Sequence, residues 1–262
     1  MKRERDKQTD RKECEGKGMG NHKVAIVTGA GSGVGRAVAL TMAKEGYKLV
    51  VVGRSTGNTT ETANMVKELG AEVTAVIADI GSEADTIKYV DAAIQAYGRI
   101  DVYVNSAARF QPYMHIHEID EELFDDIMKI NVKGAFFGMK HVLKHMVEQK
   151  SGVIVNVGSM DGLQSEPMLG AYSTSKHAMV GLTKNAATEY GHMGIRTCCV
   201  CPGAIQTKMI AEVLETLDPE VLGPMRRAAD PQEIADAVCY LASDKATYLN
   251  GAIIRANGGK GL

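Results

Sequence analysis

Tyr172 and Lys176 stand four positions apart in Ala171-Tyr172-Ser173-Thr174-Ser175-Lys176, and Ser159 precedes them. In a helix, residues at that spacing share one face, so the phenol and the ammonium converge. A tyrosine with a pKa of about 10 is a poor acid or base at neutral pH unless its phenolate is stabilised. An ammonium about 5 Å away, at an effective dielectric of about 20, favours the phenolate by roughly 3 kcal/mol, or about 2 pKa units. By itself such a pair is more often a helix-surface contact. Ser159 follows the apolar run Val153-Ile154-Val155-Asn156-Val157, which puts it at the carboxyl end of a strand, where open α/β sheets bind ligands.

A second group of residues gives that pair a context. Val24-Ala25-Ile26-Val27 leads into Thr28-Gly29-Ala30-Gly31-Ser32-Gly33-Val34-Gly35. At a strand-to-helix turn, glycines permit positive φ and close approach of the backbone to a pyrophosphate, whose charge then meets the positive end of a helix. A glycine-rich turn without a ligand is the plainer alternative. Position favours a dinucleotide site, because the motif ends the first strand, opens a helix and begins an alternating series. An NTPase phosphate loop is disfavoured, since Arg36 and Ala37 follow Gly35 in place of Lys and Ser/Thr. About 20 residues on, where a free ribose 2′-hydroxyl usually meets Asp or Glu, the chain has Gly53-Arg54-Ser55-Thr56. Arg54 can pair bidentately with a 2′-phosphate and the hydroxyls can donate to it, so NADP(H) is expected, with NAD(H) the alternative. Asp79, in Ala78-Asp79-Ile80, either accepts from an adenine amino group or caps a helix.

The elements that must position these residues are visible as apolar runs and helical spacing. Strands are expected near 24–28, 49–52, 73–78, 101–104, 153–158, 196–200 and 252–255. Helices are expected near 33–45, 59–69, 83–97, 120–148, 171–191, 208–217 and 231–242. Buried strands alternating with helices imply an α/β protein: one Rossmann-like, doubly wound parallel sheet of about seven strands with helices on both faces. Residues 1–20 alternate charges with glycine and have almost no apolar side chain, which reads as a disordered tail. Residues 21–262 read as one dinucleotide-binding domain.

The chain has 262 residues, 30 basic against 32 acidic side chains, and a net charge of −2. That balance argues against a nucleic-acid or anionic-lipid surface, and no apolar run suits a bilayer or a secretory signal. A soluble cytoplasmic protein with a small-molecule partner is expected. The five cysteines include Cys198-Cys199-Val200-Cys201. Along a strand neighbouring thiols point to opposite faces, so they read as core residues and no metal site is expected.

The glycine motif, Ser159, Tyr172-x3-Lys176, and Cys201-Pro202-Gly203 with Thr207 downstream occur in the order of a known family. From about Lys23 to Gly259 the chain resembles the short-chain dehydrogenases/reductases in their compact form of about 250 residues. The resemblance implies that Tyr172 transfers a proton to or from the substrate oxygen and that Ser159 holds that oxygen. It implies that Lys176 lowers the Tyr172 pKa and binds the nicotinamide ribose, and that Asn131 bends a crossover helix and anchors a relay water. Gly29, Ser32, Gly33, Val34 and Gly35 would cradle the cofactor, with Arg54, Ser55, Asp79 and Ile80 at its adenosine end. Asn105 and Ala107, with Pro202, Gly203, Ile205 and Thr207, would contact it toward the nicotinamide. Where the family has N-N-A-G the chain has Asn105-Ser106-Ala107-Ala108, for which a small local shift is expected.

The implied function is NADP(H)-dependent interconversion of a secondary alcohol and a ketone, in a homodimer or homotetramer built on helices 120–148 and 171–191. The competing readings are an NAD(H) enzyme of the same type, a catalytically idle dinucleotide-binding sensor or scaffold, and another Rossmann-type binder such as a methyltransferase. Substrate recognition would fall to the loops near 109–117, 160–170 and 207–225. There His115 and His117 are possible contacts, and Met160, Met168 and Met209 a possible apolar wall. His141 and His145 have metal spacing but lie among lysines, which suggests a solvated or subunit-facing surface.

Overall fold

The computed structural model describes residues 23–207, 210–214 and 218–261. The expected tail and Met209 therefore lie outside the described residues. Seven strands form one parallel sheet: β1 (Val24–Thr28), β2 (Lys48–Gly53), β3 (Val73–Ile77), β4 (Val102–Asn105), β5 (Gly152–Val157), β6 (Ile195–Pro202) and β7 (Ile253–Ala256), in the order β3-β2-β1-β4-β5-β6-β7. The chain leaves β1 toward one edge and returns through β4 toward the other. The crossovers therefore diverge at the β1/β4 boundary and open a crevice at the carboxyl ends.

The alternation of side chains along each strand sorts the core into two layers. Ala25 and Val27 of β1 face α1 (Gly33–Lys44), and on the same side α8 (Pro231–Ala242) contributes Ile234, Val238 and Leu241. Ile26 faces the other way, toward Tyr89 and Ala93 of α3 (Glu83–Tyr97) and Met139 and Val142 of α5 (Gly134–Gln149). The cysteines follow the same rule. Cys198 joins the first layer, while Cys199 and Cys201 lie on the opposite face beside α6 (Gly170–Tyr190), their sulfurs 3.7 Å apart and all three buried.

Several boundaries differ from the pattern in the sequence. Helix α2 (Thr56–Glu68) starts three residues earlier than expected because the Ser55 side chain caps it, accepting from the Asn58 amide. The expected helix 120–148 is α4 (Glu121–Met128), a π-helical turn at Lys129–Lys133, and α5. Helical spacing alone does not reveal a single widened turn. Of the expected helix 208–217, the structure describes α7 (Ala211–Leu214). His141 is buried, and its Nε2 lies 2.8 Å from Glu83 Oε1 on α3, so this position joins two helices and is not a solvated surface. Among the described residues no helix is long and apolar enough to cross a membrane, and no group of three or more His, Cys, Asp or Glu side chains is placed to hold a metal.

The contact between α5 and β4 is tight. A Cβ at Gly138 would overlap the Tyr103 hydroxyl, and Tyr103 is fully buried with its oxygen 3.4 Å from that of Tyr89. The gain in helix propensity from Gly138→Ala, about 1 kcal/mol, is outweighed because Tyr103 has no room to retreat. The variant is expected to lose about 1–3 kcal/mol, read as a lower urea midpoint at unchanged slope.

Candidate active site

A cleft of about 940 Å³ runs across the carboxyl ends of the central strands. At one end is the glycine turn. Gly29 sits at φ +68, and a Cβ there would come within 2.8 Å of the Ala107 backbone, so this turn and the loop after β4 meet closely because neither side carries bulk. A Cβ at Gly35 would overlap the Gly29 carbonyl, which keeps α1 against the turn. Thr28 Oγ1 fixes the other side, accepting from the Ser106 and Ala107 amides at 3.2 and 3.3 Å. Helix α1 thus points its first turn into the cleft, past Ser32, Gly33 and Val34, with no side-chain cap. An uncapped helix start lined by glycines suits a diphosphate. Thr207 closes over it, its Cγ2 being 3.2 Å from where a Gly33 Cβ would stand.

Beyond the ends of β2 and β3 the cleft is lined by Arg54, Asp79 and Ile80. A Cβ at Gly53 would overlap Thr59 Oγ1, which is itself buried without a hydrogen-bond partner. No side chain, acidic or otherwise, fits at position 53. Glu61 is nearby but is bound to Arg36, whose guanidinium also holds the Gly31 carbonyl at 2.6 Å. Asp79 accepts from the Gly81 amide and from Lys129 Nζ at 2.9 Å, which draws its carboxyl below the ordinary range; Ser82, not Asp79, caps α3.

At the other end, Tyr172 and Lys176 emerge from the first turns of α6. Leu169, the residue before the helix, caps nothing with its side chain. The fully buried Gln111 takes over that role. Its Oε1 accepts from the Tyr172 amide and its Nε2 donates to the Met168 carbonyl, both at 2.8 Å. The Phe110 ring stands edge-on to Tyr172, centroids 4.9 Å apart. Lys176 Nζ donates to the Val157 carbonyl at 3.0 Å and lies 5.6 Å from the centroid of the Tyr172 ring. Ser159 Oγ donates to Asp161 Oδ2 at 2.9 Å and accepts from the Asp161 amide at 3.1 Å.

Burial dominates the electrostatics here. It brings the Lys176 ammonium down to about 8. It pushes the Tyr172 phenol well up, with the Asp161 charge adding to the rise and the Ser159 hydroxyl opposing it. The expected lowering of Tyr172 by Lys176 is therefore overridden, because both groups are sealed from water.

Ser159, Tyr172, Lys176, Ala107, Pro202, Ile205 and Thr207 all line the cleft, with the glycine turn and Arg54. Four expected residues do not. Ser55 is engaged as the α2 cap. Asn105 is buried among Thr28, Asn156 and Met179, joining strand ends below the cleft floor. Gly203 packs on Asn257. Asn131, within the π turn, grips both backbone groups of Arg109 at 2.7 and 2.9 Å and donates to Ser175 Oγ at 2.9 Å. His115 and His117 stack on each other, exposed and away from the cleft; Met160 is buried and Met168 half-exposed. Asp161 and Gln111 went unremarked in the sequence. Asp161 was signalled by its place two residues after Ser159, whereas Gln111, 61 positions from Tyr172, left no local signal.

A parallel sheet with an open helix start and a buried Tyr–Lys pair in one cleft defines an NAD(P)-dependent oxidoreductase acting on CH–OH groups. A family model described as short chain dehydrogenase matches residues 23–218, and the chain belongs to that family. Levodione reductase from Leifsonia aquatica is 37% identical over 250 residues, spanning 91% of this chain and 94% of that protein. An NAD+-bound xylitol dehydrogenase superposes with a TM-score of 0.88 at 30% identity, covering 92% of this chain and 100% of that one. A 3-ketoacyl-(acyl-carrier-protein) reductase from Brucella melitensis complexed with NADH gives 0.87 at 31% identity, covering 92% and 98%.

Replacing Gln111 with Leu orphans the Tyr172 amide and the Met168 carbonyl, at about 1–3 kcal/mol per buried group. The variant is expected to melt lower and to show faster hydrogen exchange at the Tyr172 amide than at amides in the middle of α6.

Proposed function

We propose that this protein is an NADP(H)-dependent oxidoreductase interconverting a secondary alcohol and a ketone, with Tyr172 moving the proton. The observation that carries this reading is the convergence of Ser159, Tyr172 and Lys176 on the cleft that also holds the glycine turn. When bound, the nicotinamide accepts or supplies the hydride at the carbinol carbon. Ser159 hydrogen-bonds to the substrate oxygen, and the Tyr172 hydroxyl gives that oxygen a proton in reduction and takes it back in oxidation. The Lys176 ammonium offsets the phenolate left behind. Asn131 positions the segment at Arg109, while Gly29, Ser32, Gly33, Val34 and Gly35 hold the diphosphate. Pro202, Ile205 and Thr207 border the nicotinamide side.

The preference for NADP(H) is supported by Arg54 at the cleft edge and by Gly53, where Thr59 fills the space an acidic side chain would need. One observation favours NAD(H): the two solved relatives above carry NAD+ and NADH. Exposed Phe124 on α4 and Phe136 on α5 support a homodimer or homotetramer built on these helices and α6.

Two measurements test the reading. Over a panel of secondary alcohols and ketones, Tyr172→Phe is expected to lower kcat by at least about 10²-fold. The rise in melting temperature that NADPH produces should persist in that variant; an active Phe variant would remove Tyr172 from the proton transfer. Arg54→Ala is expected to weaken NADPH binding about tenfold, the loss of one charge-assisted phosphate contact, and to leave NADH binding unchanged. Equal effects on both cofactors would return the assignment to NAD(H).

A further inference from the structure

Resting on the reading above, we propose that Asp161 is a positioning residue for the reaction: it acts through Ser159 by deciding whether that hydroxyl's single proton points at the substrate oxygen. A serine hydroxyl has one donor and two acceptor sites. Here the donor is spent on Asp161 Oδ2 and one acceptor site on the Asp161 amide. With the carboxylate ionised, Ser159 has nothing left to give an incoming carbonyl. With the carboxyl neutral, its O–H donates to Ser159 and fills the second acceptor site. The Ser159 proton is then released to the substrate oxygen. Asp161 exchanges no proton with substrate; it fixes the orientation of one.

Two features of the geometry support the neutral form. Asp161 is 7% exposed, and its Oδ1 is sealed from solvent without a hydrogen-bond partner. A buried carboxylate oxygen in that state is costly, whereas an unpartnered carbonyl oxygen of a neutral carboxyl is much less so. The groups facing it come from four places. They are Ser159 and Glu166 in its own loop, Tyr172 and Lys176 on α6, Tyr113 after β4, and Lys260 near the C-terminus. The Lys260 charge is paired with Glu166 at 2.7 Å. Desolvation is the largest influence and moves the carboxyl above its ordinary value; Ser159 and Lys260 oppose this and Glu166 adds to it.

The sign follows. A carboxyl held above its ordinary value stays neutral further up the pH scale, so ketone reduction should decline as pH rises through that titration. Asp161→Asn keeps the shape, folds around the same contacts, and carries an amide N–H that donates to Ser159 at every pH. For the panel ketone reduced fastest, wild-type kcat/KM is expected to fall about tenfold as Asp161 passes from neutral to ionised, with the midpoint at the Asp161 titration followed by NMR, the value of one hydrogen bond to the developing oxyanion. In Asp161→Asn the fall should shrink to under about twofold. Superimposable pH profiles would overturn the proposal, as would loss of activity in the Asn variant at all pH values. A second readout needs neither cofactor nor substrate. The Asp161 carboxyl carbon, followed by NMR in ligand-free protein, should titrate above the ordinary range, and higher still in Ser159→Ala, which removes a hydrogen bond to the charged form. An ordinary titration that Ser159→Ala leaves unmoved would sink the idea. Tyr172→Phe keeps both Asp161 and Ser159, so failure of the functional reading is detected separately from failure of this one.

Discussion

A lysine ammonium sealed inside a protein must be compensated, and at Lys176 the compensation is a carbonyl at the end of β5. The hydrogen bond to Val157 ties the second turn of α6 to the carboxyl edge of the sheet. It therefore fixes where Tyr172, one turn earlier, can stand. A Cβ at Gly162 would overlap the Lys176 carbonyl, so the turn after Ser159 is pressed against the same stretch of helix. Tyr172, Lys176 and Ser159 are thus positioned by one contact between α6 and the end of β5. The penalty is visible in the depressed lysine and the elevated tyrosine.

The same reasoning applies to the opposite end of the cleft, where space and not charge is the constraint. Three close approaches, Gly29 to Ala107, Gly35 to Gly29 and Gly53 to Thr59, keep strand ends and helix starts within backbone contact. The departures from the family's N-N-A-G fall at Ser106 and Ala108, and the Gly29 turn packs on the backbone of Ser106 and Ala107. Arg36, tied to the Gly31 carbonyl and to Glu61, holds α2 against this turn.

How much of this the sequence disclosed depends on the range of the interaction. The strands were legible because both faces of the sheet are covered, making each strand a short continuous apolar run, as in Val24-Ala25-Ile26-Val27. The glycine turn and the Tyr–Lys pair were legible because their meaning lies in local spacing. What escaped was decided across the fold. Ser55 looks like a phosphate ligand until its hydroxyl is seen to cap α2. Asn105 stands beside cleft-lining residues, but the alternation of a strand turns its side chain downward, onto Asn156. Gln111 and Glu83 act on partners 61 and 58 residues away, beyond any local pattern. Asp161 differs from these, being adjacent to Ser159 in sequence and hidden only because an acid in a loop has so many ordinary roles.

The substrate side follows from the same logic of short, pinned segments. Met114 and Leu169 form an isolated parallel bridge, and Gln111 holds the Met168 carbonyl while that residue takes φ +66. The loop after β4 is therefore fastened to the start of the helix that carries Tyr172. Any change in this wall also moves the phenol. Lys260 to Glu166 ties the C-terminal segment to the turn beyond Asp161. These walls are anchored to the reacting groups on their inner side, whereas residues 204–206 are anchored to Ala229, just before α8, through its bridge to Ile205. Selectivity among alcohols can change on that outer wall without disturbing the proton machinery, while changes on the inner walls must preserve the Gln111 and Asp161 contacts to leave the chemistry intact.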